Sequence, residues 1–258
     1  MKKLLILLSV FLLCGSAFAS SKKHVEKDVA VTQEKVIDES VFLKKINKEY
    51  PNLNVVKSVF IPSVKLYEIH LKGSNNLAYT NGNIDYFIIN GQIINPKTKQ
   101  SITLERDLEF VKSFVAGLPY EKSIVEKFGT GERKIVVFTD PDCPFCKETD
   151  KLINSQMTKD NITINYFMNP LRIKGHEDAP LKARKIWCSN DRSAAWKDWM
   201  LNGNIPTNDG TCKTPVSETK EIAEENGFNS TPTIIFDNGF VWKGAITPAQ
   251  IREILNKK

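Results

Sequence analysis

The apolar run Lys134-Ile-Val-Val-Phe-Thr139, followed closely by Cys143-Pro144-Phe145-Cys146, constrains this chain more than any other stretch. A short strand here delivers the first cysteine to the first turn of a helix. Backbone N–H groups and the positive end of the helix dipole then favour thiolate over thiol at Cys143. Cys146 sits one turn on, close enough to close a disulfide or resolve a mixed one. Pro144 suits a first helical turn, having no N–H to lose, and stiffens the loop. The expected chemistry is thiol–disulfide exchange, with Cys143 the solvent-facing attacking thiolate and Cys146 the resolving thiol further inside.

Two blander readings compete with it. A zinc knuckle needs a second close cysteine pair, and Cys188 and Cys212 lie far apart without a neighbouring histidine, so no metal is expected. A plain structural disulfide across so small a loop would constrain little unfolded-state entropy. Nearby charges pull both ways. Asp140 and Asp142 should raise the Cys143 pKa, whereas the helix end and Lys147 should lower it.

The N-terminus tells where such a dithiol would work. Lys2 and Lys3, the apolar run from Leu4 to Leu13, and Ala17-Phe18-Ala19 form a cleavable signal peptide over residues 1–19, too short for a membrane span. Cys14 could mark a lipoprotein, but Leu13 stands where a small residue is expected. Of the 5 cysteines, removal of Cys14 leaves Cys143, Cys146, Cys188 and Cys212, an even set that points to two disulfides in an oxidising compartment, the periplasm. Loss of Lys2 and Lys3 lowers the formal charge from +6 to +4. That mild, dispersed excess gives no reason to expect a nucleic-acid partner.

The remaining chain divides into an arm, two domains and a connector. Residues 20–40 form an extended arm without a sustained period. Residues 41–100 read as a small α+β domain: a helix over Val41–Tyr50 stopped by Pro51, then strands at Val55–Ile61, Val64–Leu71, Leu77–Thr80, Ile84–Ile89 and Gln92–Ile94. Asn81-Gly82 and Asn90-Gly91 supply the hairpin turns. Its core is thin, so pairing with a second copy would add burial. Ser101 or Thr103 caps a helix over residues 101–118, with Leu104, Leu108, Val111 and Val115 at helical spacing. It reads as the linker between domains, an ordinary packed helix being the alternative.

Residues 119–258 alternate strand and helix in the order of an α/β thioredoxin-like domain with a helical insertion. The strands are Ile135–Thr139, Ile162–Met168, Thr233–Phe236 and Phe240–Lys243; helices begin near Pro144, Pro180, Asp191, Ser217 and Pro248. A proline entering a strand at Thr231-Pro232 needs a special role. In thioredoxin folds this loop holds a cis proline that faces the CxxC and binds substrate backbone; an ordinary trans turn proline is the alternative. Cys188 and Cys212 read as a disulfide stapling the insert, with two free buried thiols as the other possibility. Trp187, Trp196 and Trp199 read as packing residues. His24, His70 and His176 read as surface or incidental residues.

Over residues 39–257 the chain resembles the periplasmic disulfide isomerases of the DsbC/DsbG family. The resemblance is carried by Val137-Phe-Thr-Asp-Pro-Asp-Cys-Pro-Phe-Cys-Lys147, Lys185-Ile-Trp-Cys188 with Cys212, and Ser230-Thr-Pro232. It implies a V-shaped homodimer whose cystatin-like N-terminal domains pair, and whose catalytic domains face across a partly apolar cleft. Cys143 and Cys146 match the active pair, Thr231 and Pro232 the substrate-binding loop, and Cys188 and Cys212 the structural disulfide. The implied partners are misfolded or oxidised exported proteins and a DsbD-like membrane reductant, with no cofactor. The Pro-Phe dipeptide and Asp140-Pro141 look more like DsbG than DsbC, leaving scrambled disulfides and sulfenylated cysteines both open as substrates. A monomeric DsbA-like dithiol oxidase and a redox-independent holdase chaperone are the competing functions.

Overall fold

The computed structural model describes residues 36–256. The signal peptide, Cys14, His24 and the arm up to residue 35 lie outside the described residues. The first described element is helix α1 (Glu39–Glu49), capped by Asp38, whose carboxylate accepts from the Ser40 and Val41 N–H groups. It lies on a four-stranded antiparallel sheet of β1 (Val55–Ile61), β2 (Leu66–Leu71), β3 (Leu77–Thr80) and β4 (Ile88–Ile89), in sequential order. Phe42 and Ile46 point into that sheet among Val55, Tyr67, Ile69 and Ala78. The Phe42 and Tyr67 rings stack with centroids 3.8 Å apart.

Two sequence expectations fail here. Of Ile84–Ile89 only the last two residues form a strand, and Gln92–Ile94 contributes a single bridge, Ile94 to Ser101. The apolar run is interrupted because Asn81 folds onto Asp85, accepting its N–H at 2.9 Å and donating to its carboxylate at 2.8 Å. Ile84 is left at φ 66°, which no ladder accommodates.

Helix α2 (Ile102–Ala116) starts at Ser101, whose hydroxyl accepts the Leu104 N–H. It is more than a spacer. Val111, with Phe110, Phe114 and Val115, packs on Val136, Phe138, Phe167, Phe228 and Ile235 of the second sheet. Phe110 also touches the Ile61, Leu66, Leu77 and Tyr79 cluster of the first. Arg106 adds a paired contact to the buried Glu68 carboxylate at 2.6 and 3.2 Å. A further tie is backbone to backbone: Gly73, in the β2–β3 turn, donates to Glu225 O at 2.8 Å. Gly227 makes this approach possible, since a Cβ there would lie 2.7 Å from Gly73 O and its φ is +71°.

The second sheet has five strands in the order β5-β7-β6-β8-β9. These are β5 (Ile124–Lys127), β6 (Arg133–Thr139), β7 (Ile162–Met168), β8 (Thr233–Phe236) and β9 (Val241–Lys243). β6 is central, parallel to β7 and antiparallel to β8. Its unbroken apolar run follows from burial on both faces. Ile135 and Val137 face α3 (Pro144–Gln156), α4 (Ala179–Trp187), α5 (Arg192–Asn202) and α7 (Pro248–Asn256), whereas Val136 and Phe138 face α2 and α6 (Val216–Glu225). Strand β5 had no clear sequence signal, because one of its two buried positions is Glu126. No helix among the described residues is long and apolar enough to cross a membrane.

Candidate active site

Strand β6 ends at Thr139, and three residues later the chain enters α3 with Cys143 as its N-cap. The cap position turns the side chain back over the first turn. Cys143 Sγ therefore accepts the Cys146 N–H at 3.4 Å and donates to the Thr231 carbonyl at 3.3 Å. Thr231-Pro232 is a cis peptide, and Pro232 O is occupied by the Gly244 N–H at 2.8 Å. Cys143, Cys146, Thr231 and Pro232 thus meet at the N-terminal end of α3.

The expectation that Cys143 faces solvent does not hold. It is only 3% exposed, covered by the Thr231 loop, and the rim is formed by Phe145 at 56%. What removes this cap from water is the Thr231 loop, whose carbonyl closes over the sulfur at 3.3 Å. Burial alone would push the thiol up, yet Cys143 is lowered to about 6. The largest cause is the hydrogen bond from the Cys146 thiol, followed on the lowering side by the Thr231 hydroxyl and the Cys146 and Phe145 N–H groups. At pH 7 a pKa near 6 makes the thiolate about ten times as abundant as the thiol. The Thr231 hydroxyl has no hydrogen-bond partner in the dithiol form, leaving it a ready donor for a thiolate. Burial drives the Cys146 pKa well above the ordinary thiol range, and the neighbouring Cys143 adds to it. The environments separate the two thiols into a nucleophile and a proton-holding partner.

The charges next to Cys143 act differently from the expectation. Asp140 is fully buried and takes N–H groups from Asp142 and Leu171 at 2.8 and 2.7 Å. His176 Nδ1 lies 2.8 Å from Asp140 Oδ2, the same oxygen that accepts the Leu171 N–H. Asp142 is matched by Lys182 at 2.7 Å. Lys147 stands 4.3 Å over the Trp199 ring rather than over the sulfur. The leading forces on the Cys143 sulfur come instead from Cys146, from burial, from Thr231 and from the Phe145 N–H.

Histidines 70 and 176 are not incidental either. His70 is buried, 2.8 Å from Glu68 and edge-on to Phe110. Trp196 packs fully buried, but Trp199 also donates its indole N–H to Pro141 O at 2.7 Å. Sequence spacing offered no sign of the His176 and Trp199 contacts, whose partners Asp140 and Pro141 lie 36 and 58 residues earlier in the chain. Cys188, at the end of α4, is disulfide-bonded to Cys212 in the loop before α6. No cluster of metal-ligating side chains occurs among the described residues.

A family model described as a thioredoxin-like domain matches residues 120–258. The probable thiol:disulfide interchange protein DsbC of Bordetella pertussis is 29% identical over 181 residues, 70% of this chain and 61% of that protein. Escherichia coli DsbC is 26% identical over 140 residues, 53% of this chain and 56% of that protein. The chain thus spans less than two thirds of the length of these curated relatives. A crystal structure of a disulfide interchange protein from Neisseria gonorrhoeae is 41% identical with a TM-score of 0.49, covering 54% of this chain and 96% of that one. With a family model covering more than half its length, and thiol:disulfide interchange proteins named DsbC among its relatives, the chain belongs to the thioredoxin-like family.

Proposed function

We propose that this protein is an exported, periplasmic thiol:disulfide interchange enzyme that isomerises or reduces wrong disulfides in misfolded or oxidised exported proteins. The observation that carries the proposal is the asymmetry of the dithiol: a Cys143 sulfur lowered to about 6 beneath the Thr231 carbonyl, beside a buried, protonated Cys146. The Cys143 thiolate attacks one sulfur of a substrate disulfide. A mixed disulfide forms, and the other substrate sulfur leaves as thiolate. In isomerisation that thiolate attacks a further disulfide and a substrate sulfur later displaces Cys143, with no net electron transfer. In reduction Cys146 loses its proton, attacks Cys143 Sγ and releases the second substrate thiol. The resulting Cys143–Cys146 disulfide then needs two electrons and two protons from a DsbD-like membrane dithiol.

The substrate backbone would be held along Thr231 and Pro232, and the Cys188–Cys212 bond would brace the insert. Exposed apolar side chains on the small sheet and its flanks, Val41, Val56, Tyr86 and Ile89, support pairing with a second copy, so that two sites share one client. The reading is tested with scrambled ribonuclease. The reduced protein should restore its activity and Cys143→Ala should not. Equal recovery by both proteins would overturn the enzymatic reading in favour of a holdase. A monomer in sedimentation, with a mostly oxidised pair in cells, would favour the DsbA-like oxidase.

A further inference from the structure

The loop between β6 and α3 is only Asp140-Pro141-Asp142, and each of its residues is held by a different part of the segment between β7 and α6. His176 and the Leu171 N–H hold the Asp140 carboxylate. Trp199 Nε1 holds Pro141 O, and Lys182 Nζ holds Asp142 Oδ1. Asp140 matters most to the sulfurs. Its carbonyl accepts the Cys143 N–H at 3.2 Å, and its own N–H reaches the Cys146 sulfur and favours the thiolate there. Its side chain is fully buried, where a carboxylate that loses a donor must shift or admit water.

We propose that His176 is a positioning residue for the dithiol: its Nδ1–H fixes Asp140 and thereby fixes where the Cys143 and Cys146 sulfurs lie relative to their donors. It touches neither sulfur nor substrate. The Asp140 Oδ1 contact to the Asp142 N–H is internal to the loop, so His176 and Leu171 are what tie that carboxylate to the rest of the fold. The backbone contact of Leu171 cannot be altered by its side chain, which leaves the imidazole as the adjustable hold. The inserted segment would then act as a frame for the nucleophile as well as a cover for the core.

The inference rests on Cys143 being the reactive thiolate, and the test separates the two claims. Alkylation of Cys143 by iodoacetamide is followed against pH by mass spectrometry, together with the melting temperature, for the full protein. The wild type should titrate near 6; an ordinary thiol midpoint there would fault the reading of the site rather than this inference. His176→Ala should move the midpoint up by about one unit, a roughly tenfold loss of thiolate below the midpoint. His176→Asn, whose amide can donate from nearly the same place, should restore the rate to within about twofold of wild type, since the charge-assisted bond is re-formed. A His176→Ala profile that superimposes on wild type overturns the inference, whatever happens to the melting temperature. If the alanine variant does not fold, His176→Asn is compared with His176→Gln, whose donor is displaced by one bond. A wild-type midpoint for Asn and a raised one for Gln supports positioning, and identical midpoints overturn it.

Discussion

Replacing Asp150 by asparagine should stabilise the protein at alkaline pH and leave it nearly unchanged at acid pH. Asp150 lies on α3 one turn beyond Cys146 and is 3% exposed; Glu126 on β5, equally buried, pushes its pKa further up. Burial is the main cause for both acids, and both sit above the ordinary carboxylate range. Asp150 Oδ1 accepts from Tyr166 OH at 2.8 Å, but its Oδ2 and both Glu126 oxygens have no hydrogen-bond partner. Lys197 stands 3.9 Å from Glu126 with its side chain 44% exposed, too distant and too wet to neutralise two carboxylates. A carboxyl whose folded pKa is raised binds more protons folded than unfolded. Its stabilisation is therefore complete below the unfolded pKa and is lost as pH rises through the folded value. Asparagine carries no charge at any pH and keeps an acceptor for Tyr166. Removing one uncompensated buried charge is worth about 1–3 kcal/mol, toward the low end of what such charges cost. For a chain of this size that is roughly 2–10 °C in melting temperature. Urea unfolding of wild type and Asp150→Asn at pH 4.5, 6 and 8 measures it. A loss of stability of equal size at all three pH values would refute the reasoning, because it would mean that the carboxylate is satisfied in the fold.

Other consequences are simpler. Cys146→Ala removes the donor that contributes most to lowering Cys143, and a hydrogen bond to a charged group is worth about 1.5–3 kcal/mol. The Cys143 midpoint, read from thiolate absorbance at 240 nm, should rise by about one to two units. Phe114→Ala removes a ring that packs from α2 on Phe138 and Phe228 and should cost about 2–4 kcal/mol in urea unfolding of the whole protein. A loss below about 0.5 kcal/mol, the scale of a surface substitution, would mean that α2 is a free linker.

The parts of the fold that were legible in sequence are those written in local patterns. The apolar run of β6, the cysteine spacing, the Ser101 cap and the strand-entering Thr231-Pro232 each declare themselves within a few residues. What was hidden depends on partners distant in sequence. The burial of Glu126 has no sign in the sequence until β5 is seen beside β7, with α5 over it. His176 reads as a loop histidine until the chain returns it to Asp140, 36 residues earlier. The depth of Cys143 was misjudged because a helix tip is ordinarily wet, whereas here the Thr231 loop covers it. The sequence left α2 open between a linker and an ordinary packed helix, because an apolar stripe fits both; its contacts with Phe138 and Phe228 on one sheet and with the Ile61 cluster on the other lie far off in sequence.

The central claim is that Cys143 and Cys146 work as a reduced pair on disulfides made elsewhere. Acid quenching of intact cells, followed by alkylation with a mass-tagged maleimide, reads the state of this pair directly, since Cys188 and Cys212 are already joined. The account predicts that both thiols are labelled in most molecules and that labelling is lost when the membrane reductant is removed. A pair found oxidised in most molecules, in cells with that reductant intact, would contradict it.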